Sequence, residues 1–203
     1  MIGLVKKVYS ILLKIRNNIY IIKEKRQGLD FTEVLSLEQL GLSDENSYYY
    51  QTAGSNRVKK ILSSMSITEN DNFIDFGCGK GKILYIISKN FPFRKVDGVE
   101  ISKKLCDIAI DNMKKLNVSN VNIYNEDAVH FTDIDIYNYI YFYNPFPATV
   151  MKSVMDNIGK SLERVPRKVT IIYFNPTCHD QIISSGTFKG SANKWRVFVY
   201  KNF

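Results

Sequence analysis

The 203-residue sequence predicts a doubly wound α/β domain with a mostly parallel sheet, carried behind one basic amphipathic helix. Three observations support this. From Asp71 to Phe174, short β-branched and aromatic runs alternate with helical periods of ten or more residues; strands so separated pair in parallel through right-handed crossovers. The first of these runs passes directly into Gly77, Gly79 and Gly81, with a helical pattern behind them. Positive charge is concentrated ahead of the alternating region: residues 1–27 hold seven basic residues against Glu24, a net +6, which leaves only +2 of the total +8 for residues 28–203.

Within the first segment, Val5, Val8, Leu12, Ile15, Ile19 and Ile22 recur at spacings of three and four, so residues 2–25 form a helix with one apolar face. Lys6, Lys7, Lys14, Asn17 and Asn18 lie opposite, while Arg16 and Lys23 interrupt the apolar side. Such an arm docks on its own domain, on a second copy, or on a membrane surface. Residues 28–56 are turn-rich, with a helical candidate at 32–40. Ser55 or Asn56 then caps a helix over 57–65.

The alternating region follows. Strands are expected at 72–76, 95–101, 120–124, 137–143 and 168–174. The helices between them span 81–90, 102–116 (capped by Ser102) and a stretch opened by Pro147, with Val150, Val154, Ile158 and Leu162 on its inner face. Two strand candidates close the chain, at 186–189 and 195–201. The arm occupies residues 1–27 and the domain residues 28–203.

Composition excludes several classes. With 45% hydrophobic and 24% charged residues the chain is not globally disordered. Three cysteines without a CxxC pair and two isolated histidines, His130 and His179, support neither a disulfide framework nor a metal site. No apolar run approaches the ~18 residues of a spanning helix. The expected location is cytoplasmic, or peripheral to the inner face of the membrane if the arm is interfacial. Charge concentrated in the arm gives no strong nucleic-acid signal for the domain.

The chemistry sits in four segments, each at the C-terminal end of a strand, where ligands bind in open α/β sheets. In Phe73-Ile-Asp-Phe-Gly-Cys-Gly-Lys-Gly-Lys82 the glycines let backbone approach a ligand closely. A pyrophosphate-binding turn wants G-x-G-x-x-G. Here the spacing is one residue short, and Asp75 stands two residues before Gly77, a charge that opposes a pyrophosphate and suits a cation. S-adenosylmethionine (SAM) carries a sulfonium and an ammonium against one carboxylate. Glu100 lies 23 residues beyond Gly77, at the place where a carboxylate accepts from a ribose diol. After the third strand, Asn125-Glu-Asp-Ala128 offers an acceptor for an adenine amino group. The fourth strand leaves the sheet at Tyr141-Phe-Tyr-Asn-Pro-Phe146.

From about Asp71 to Phe174 the chain resembles the class I SAM-dependent methyltransferases: Asp75-Phe-Gly-Cys-Gly-Lys-Gly81 matches their first motif, Glu100 the second, Glu126-Asp127-Ala128 the third and Asn144-Pro145-Phe146 the fourth. It is similar in particular to a small bacterial subgroup with a GCGKG-type loop, a GVEIS strand end and an NPF step. The resemblance implies a Rossmann-like, seven-stranded sheet with a reversed last strand, and SAM as cofactor. It implies that Asp75, Gly77 and Gly79 line the methionine end, that Glu100 holds the ribose, and that Ile101 packs on the adenine whose edge Asp127 and Ala128 contact. It also places Tyr50 and Thr52 over the methionine carboxylate. Asn144-Pro145-Phe146 resembles the [DNS]-PP-[YFW] motif of amine-directed enzymes, with one proline instead of two. The resemblance thus gives these three residues the acceptor and favours an amine over a hydroxyl. A hydroxyl acceptor needs a base, for which His130, Glu126 and Tyr143 are nearest in sequence. Two other classes stay open on the residues alone: a nicotinamide-dependent oxidoreductase, and a non-catalytic module whose arm holds RNA or a membrane.

Overall fold

Runs such as Asn72-Phe-Ile-Asp-Phe76 and Thr170-Ile-Ile-Tyr-Phe174 are buried along their whole length, as expected of central strands covered on both faces. The computed structural model describes residues 2–40, 55–192 and 197–203; Tyr48, Tyr50, Thr52 and Trp195 lie outside them. In chain order the elements are α1 (Ile2–Arg26), α2 (Leu37–Leu40), α3 (Ser55–Leu62), β1 (Asn72–Phe76), α4 (Lys82–Asn90), β2 (Lys95–Glu100), α5 (Lys103–Lys115), β3 (Ile123–Asn125), β4 (Tyr139–Tyr143), α6 (Ala148–Arg164), β5 (Thr170–Phe174), α7 (His179–Ile183), β6 (Lys189–Ala192) and β7 (Val197–Lys201). The strands form one seven-stranded sheet in the order β3-β2-β1-β4-β5-β7-β6. All pairs are parallel except those of β7, which runs antiparallel to both neighbours. This is the doubly wound, reversed-last-strand sheet that the sequence led one to expect.

Alternate residues of the central strands face opposite layers. Ile74, Phe76, Ile140, Phe142, Ile171 and Tyr173 pack under Met151, Val154, Met155 and Ile158 of α6. On the other side Phe73, Tyr139, Tyr141, Ile172 and Phe174 pack under Val58, Ile61 and Leu62 of α3 and Ile83, Leu84 and Ile87 of α4. A third, smaller layer joins Leu29 and Phe31 to Met113, with Phe31 stacked on Tyr85 at 5.9 Å.

Several boundaries differ from the sequence reading, each for a local reason. The helix expected over 32–40 is reduced to α2. The Glu24 carboxylate takes the amides of Phe31 and Thr32 at 3.0 and 2.8 Å and the Thr32 hydroxyl at 2.7 Å, which holds that stretch out of a helix. Ser36 and Gln39 exchange side-chain and backbone bonds as a capping box, and the helix starts there. The third strand begins at Ile123, not Asn120, because the Asn122 amide turns to the Asp97 carboxylate at 2.9 Å. The fourth begins at Tyr139, since Tyr137 closes a turn on Ile134 and sends its hydroxyl to Asp97 at 2.6 Å. The sixth strand lies three residues later than expected. Gly186, with φ 68°, closes the end of α7, a helix whose five residues are too few for periodicity to reveal. Pro147 occupies the cap position, one residue ahead of the first helical turn.

Among the described residues no helix is long and apolar enough to cross a membrane.

Candidate functional site

β1 ends at Phe76 and the chain turns through Gly77, Gly79 and Gly81 at φ 80°, 56° and 77°, a left-handed backbone that side chains rarely tolerate. At Gly77 the restriction is doubled, because a Cβ would lie 2.7 Å from the Pro145 Cβ. The loop is fixed to β2 by the amides of Gly77 and Cys78, which both donate to the Val99 carbonyl, and by the Gly79 amide, which donates to Glu100 Oε2 at 3.0 Å. Cys78 packs over Gly98, where a Cβ would meet its sulfur at 2.6 Å. Burial, followed by the charges of Glu100 and Asp75, pushes the Cys78 thiol well above its ordinary range, which keeps it protonated and un-nucleophilic.

Lys80 belongs to this loop in sequence, but its ammonium is held elsewhere. It is fully buried, 2.6 Å from both Asp30 oxygens and 2.7 Å from the Glu33 carbonyl. The lysine thus joins the loop to the segment after α1, and its charge is already matched. The Asn112 amide bridges the same two segments, donating to the Asp30 and Lys80 carbonyls and accepting from the Asp30 amide.

Asp75 and Glu100 converge beneath the loop, 3% and 8% exposed. Glu100 Oε1 also accepts from the Ser102 amide at 2.9 Å. Burial raises the Glu100 carboxyl above its ordinary value, partly countered by the amides of Ser102, Gly79 and Ile101. Burial raises Asp75 well above the usual carboxylate range, and the Glu100 charge raises it further. Tyr141 stands beside Asp75 in the β1–β4 register. Among the described residues its buried hydroxyl has no hydrogen-bond partner, and burial and then the Asp75 charge drive its ionisation far up. Two buried carboxyls and an orphaned hydroxyl under a loop that excludes Cβ atoms leave a demand for positive charge and hydroxyl donors.

The rim contains the other expected residues. Ile101, 46% exposed, presents an apolar surface where β2 ends. The Asn125 side chain ties β3 to that rim by donating to the Glu100 and Ile101 carbonyls at 3.1 and 2.9 Å. Asp127 and Ala128 follow in a half-buried turn in which Asp127 Oδ1 accepts from the Val129 amide at 3.0 Å. Tyr50 and Thr52 lie outside the described residues.

At the end of β4, Asn144 has φ 44°. Its Oδ1 accepts from the Thr177 hydroxyl and, at 3.4 Å, from the Tyr173 hydroxyl. Pro145 lies over Gly77, whereas Phe146 is buried in the core, edge-on to Phe142 at 6.0 Å. A second asparagine–proline step, which the sequence reading passed over, ends β5: Asn175, φ 50°, precedes Pro176. The register Tyr143↔Phe174 sets the two steps side by side. The signal was there, in the repeated Tyr-Phe…Asn-Pro pattern of the two strands. Of the candidate bases, His130 and Glu126 are exposed, and Tyr143 stacks on Phe174 at 6.0 Å. Among the described residues no three His, Cys, Asp or Glu side chains are grouped to hold a metal. A cleft of about 620 Å³ between Glu69, Phe91, Arg94 and Asn120 opens at the opposite end of the strands.

Residues 69–147 match the model of a family described as putative methyltransferase. The chain is 36% identical over 75 residues to an rRNA adenine N-6-methyltransferase of Lysinibacillus sphaericus (37% of this chain, 29% of that protein). It is 32% identical over 62 residues to a protein-lysine N-methyltransferase of Saccharolobus islandicus (30% and 38%). It therefore spans well under half the length of these curated relatives. In fold it is similar to an RNA methyltransferase from Salinibacter ruber solved with S-adenosyl-L-homocysteine, at TM-score 0.54 and 18% identity over 75% of this chain and 92% of that one.

Proposed function

From the match of residues 69–147 to a putative methyltransferase family and a fold shared with an RNA methyltransferase solved with S-adenosyl-L-homocysteine, we propose that the chain is a class I SAM-dependent methyltransferase that binds SAM at the glycine loop and methylates an amine nitrogen. The observation that supports this most directly is the buried Asp75–Glu100 pair under the loop. A pyrophosphate there would meet two carboxyls, and the one lysine of the turn is committed to Asp30. A ligand with a cationic sulfur, an ammonium and a ribose diol answers both carboxyls. The same contrast disfavours a nicotinamide dinucleotide.

When bound, SAM supplies an electrophilic methyl group on a positively charged sulfur. The chain's residues do the holding. Asp75 and the Cβ-free turn at Gly77 and Gly79 take the methionine end, Glu100 accepts from the ribose hydroxyls, Ile101 covers one adenine face, and Asp127 with Ala128 meets its edge. Methyl transfer then depends mainly on positioning, an effect that supplies ~7–11 kcal/mol in well-oriented systems. On this reading Asn144, which accepts from Thr177 and Tyr173 and follows β4 beside the Pro145–Gly77 contact, holds the N–H groups of an acceptor. Phe146 contributes by packing the step from below. The acceptor nitrogens in the names of the two curated relatives, an adenine N-6 and a lysine amine, favour nitrogen over oxygen.

Calorimetry on the purified chain tests the cofactor. SAM and S-adenosylhomocysteine should bind, NADH should not, and Asp75→Ala with Glu100→Ala should weaken SAM by more than about tenfold, the loss expected for a charge-assisted bond. Absence of SAM binding, or its survival in the double variant, overturns the reading. Labelled SAM applied to cell extract fractionated into protein, RNA, glycan and small-molecule pools then identifies the acceptor class.

A further inference from the structure

The side of α1 that meets the domain is not its apolar side. Glu24 holds the helix end by accepting from Phe31, Thr32 and, at 3.5 Å, the Lys82 ammonium. Lys82 also lies 5.9 Å from the Tyr20 ring centroid. At 3.6 residues per turn Glu24 lies roughly opposite the stripe that contains Ile15, Ile19 and Ile22. That stripe is solvent-facing: Ile11, Leu12, Ile15, Ile19 and Ile22 are each 48–61% exposed. Docking of this face on its own domain is therefore not what the described residues do.

We propose that α1 is an interfacial helix that seats the protein on an anionic phospholipid bilayer. The occupant follows from charge. Residues 1–27 carry seven lysines and arginines against one acidic residue, and that residue, Glu24, is committed to the domain. Pairing the stripe with a second copy would bring two such basic segments together, with Glu24 committed to the domain and Glu33 offsetting only Lys25, at 3.1 Å. An anionic surface matches both properties at once, apolar side chains entering the acyl boundary while lysines meet headgroups. At about 1.5 Å per residue the 25-residue helix is about 37 Å long, and it is too polar to cross a bilayer, so it lies along the surface. The Glu24–Lys82 and Asp30–Lys80 pairs then hold the glycine loop at a fixed offset from the lipid.

The test is co-sedimentation of the full chain with phosphatidylcholine vesicles, with and without about 30 mol% phosphatidylglycerol. Binding to the anionic vesicles should be at least about tenfold tighter than to neutral ones and should weaken as salt rises. Ile15→Glu with Ile19→Glu, and separately Lys6→Glu, Lys7→Glu and Lys14→Glu together, should each abolish it while the melting transition of the domain is kept. Equal affinity for both vesicle types, or retention of binding by the isoleucine variant, overturns the proposal. So does a dimer in light scattering that the isoleucine variant dissociates without any vesicle binding, or salt-sensitive RNA binding in place of vesicle binding.

Discussion

Asp75 is a residue whose cost to the fold and use to the site have opposite signs. Its carboxyl is raised in the folded chain, first by burial and then by Glu100. A carboxyl with a folded value above its unfolded one binds more protons when folded, so stability falls as pH rises from the ordinary carboxylate range through the raised value, and above that the penalty is complete. Asp75→Asn should therefore raise the melting midpoint of the ligand-free protein, by an amount that grows with pH across that window. The same substitution should weaken SAM by about tenfold or more. In the unsubstituted protein, SAM affinity should increase with pH over the same window, since the ionised carboxylate is the form that meets a cation. Melting curves and calorimetry at several pH values decide it; an Asn variant less stable at every pH would show that Asp75 is a structural group. Tyr141, orphaned at its hydroxyl and buried beside Asp75, belongs to the same local imbalance. Neither property could be read in the sequence, where Asp75 is legible only as a charge before glycines. The depth of burial depends on α3 and α4 closing over β1 and β4.

At the scale of elements, the connection between the α1 end and the glycine loop is the feature that sequence patterning hid. Lys80 reads as a loop lysine, and Asp30 is fifty residues away; only the fold makes them an ion pair. The pair is asymmetric: the Lys80 side chain is fully buried, whereas that of Asp30 is about one-third exposed. Asp30→Ala leaves a buried ammonium without its carboxylate and should cost roughly 3 kcal/mol of the folding free energy. Lys80→Met leaves a carboxylate that can turn to water and should cost less. Urea unfolding of the two variants gives the order, and a reversed order would refute it. Strands and long helices were legible because apolar period and capping residues such as Ser102 are local signals. Boundaries moved where a distant side chain took over a backbone group, as Glu24 does at Phe31 and Thr32 and Asp97 at Asn122. The Asn144-Pro145-Phe146 step was found, but not that Phe146 turns into the core or that Asn175-Pro176 stands beside it.

For the whole molecule, the alternation of strands and helices was sufficient to anticipate a doubly wound parallel sheet, because right-handed crossovers leave few topologies open, whereas the seven strands with a reversed last one followed only from the family resemblance that the motifs carry. The sequence also located the charge in the first 27 residues but not its orientation, which depends on how Glu24 docks. Removal of residues 2–22, which keeps Glu24 and the segment behind it, should leave SAM affinity within about threefold of the full chain, since among the described residues that stretch meets the loop segment through Tyr20 on the Lys82 ammonium, which Glu24 and Thr32 continue to hold. Calorimetry on the shortened chain checks this, and a loss of binding would assign the helix to the cofactor site.

The Lys80–Asp30 pair has a mechanical corollary. The glycine turn and the stretch behind the leading helix are fastened to each other by Lys80 and Asn112 without a covalent link, so a pull on the helix would reach the backbone of the turn, and a ligand seated in the turn would in return tighten the attachment of the helix.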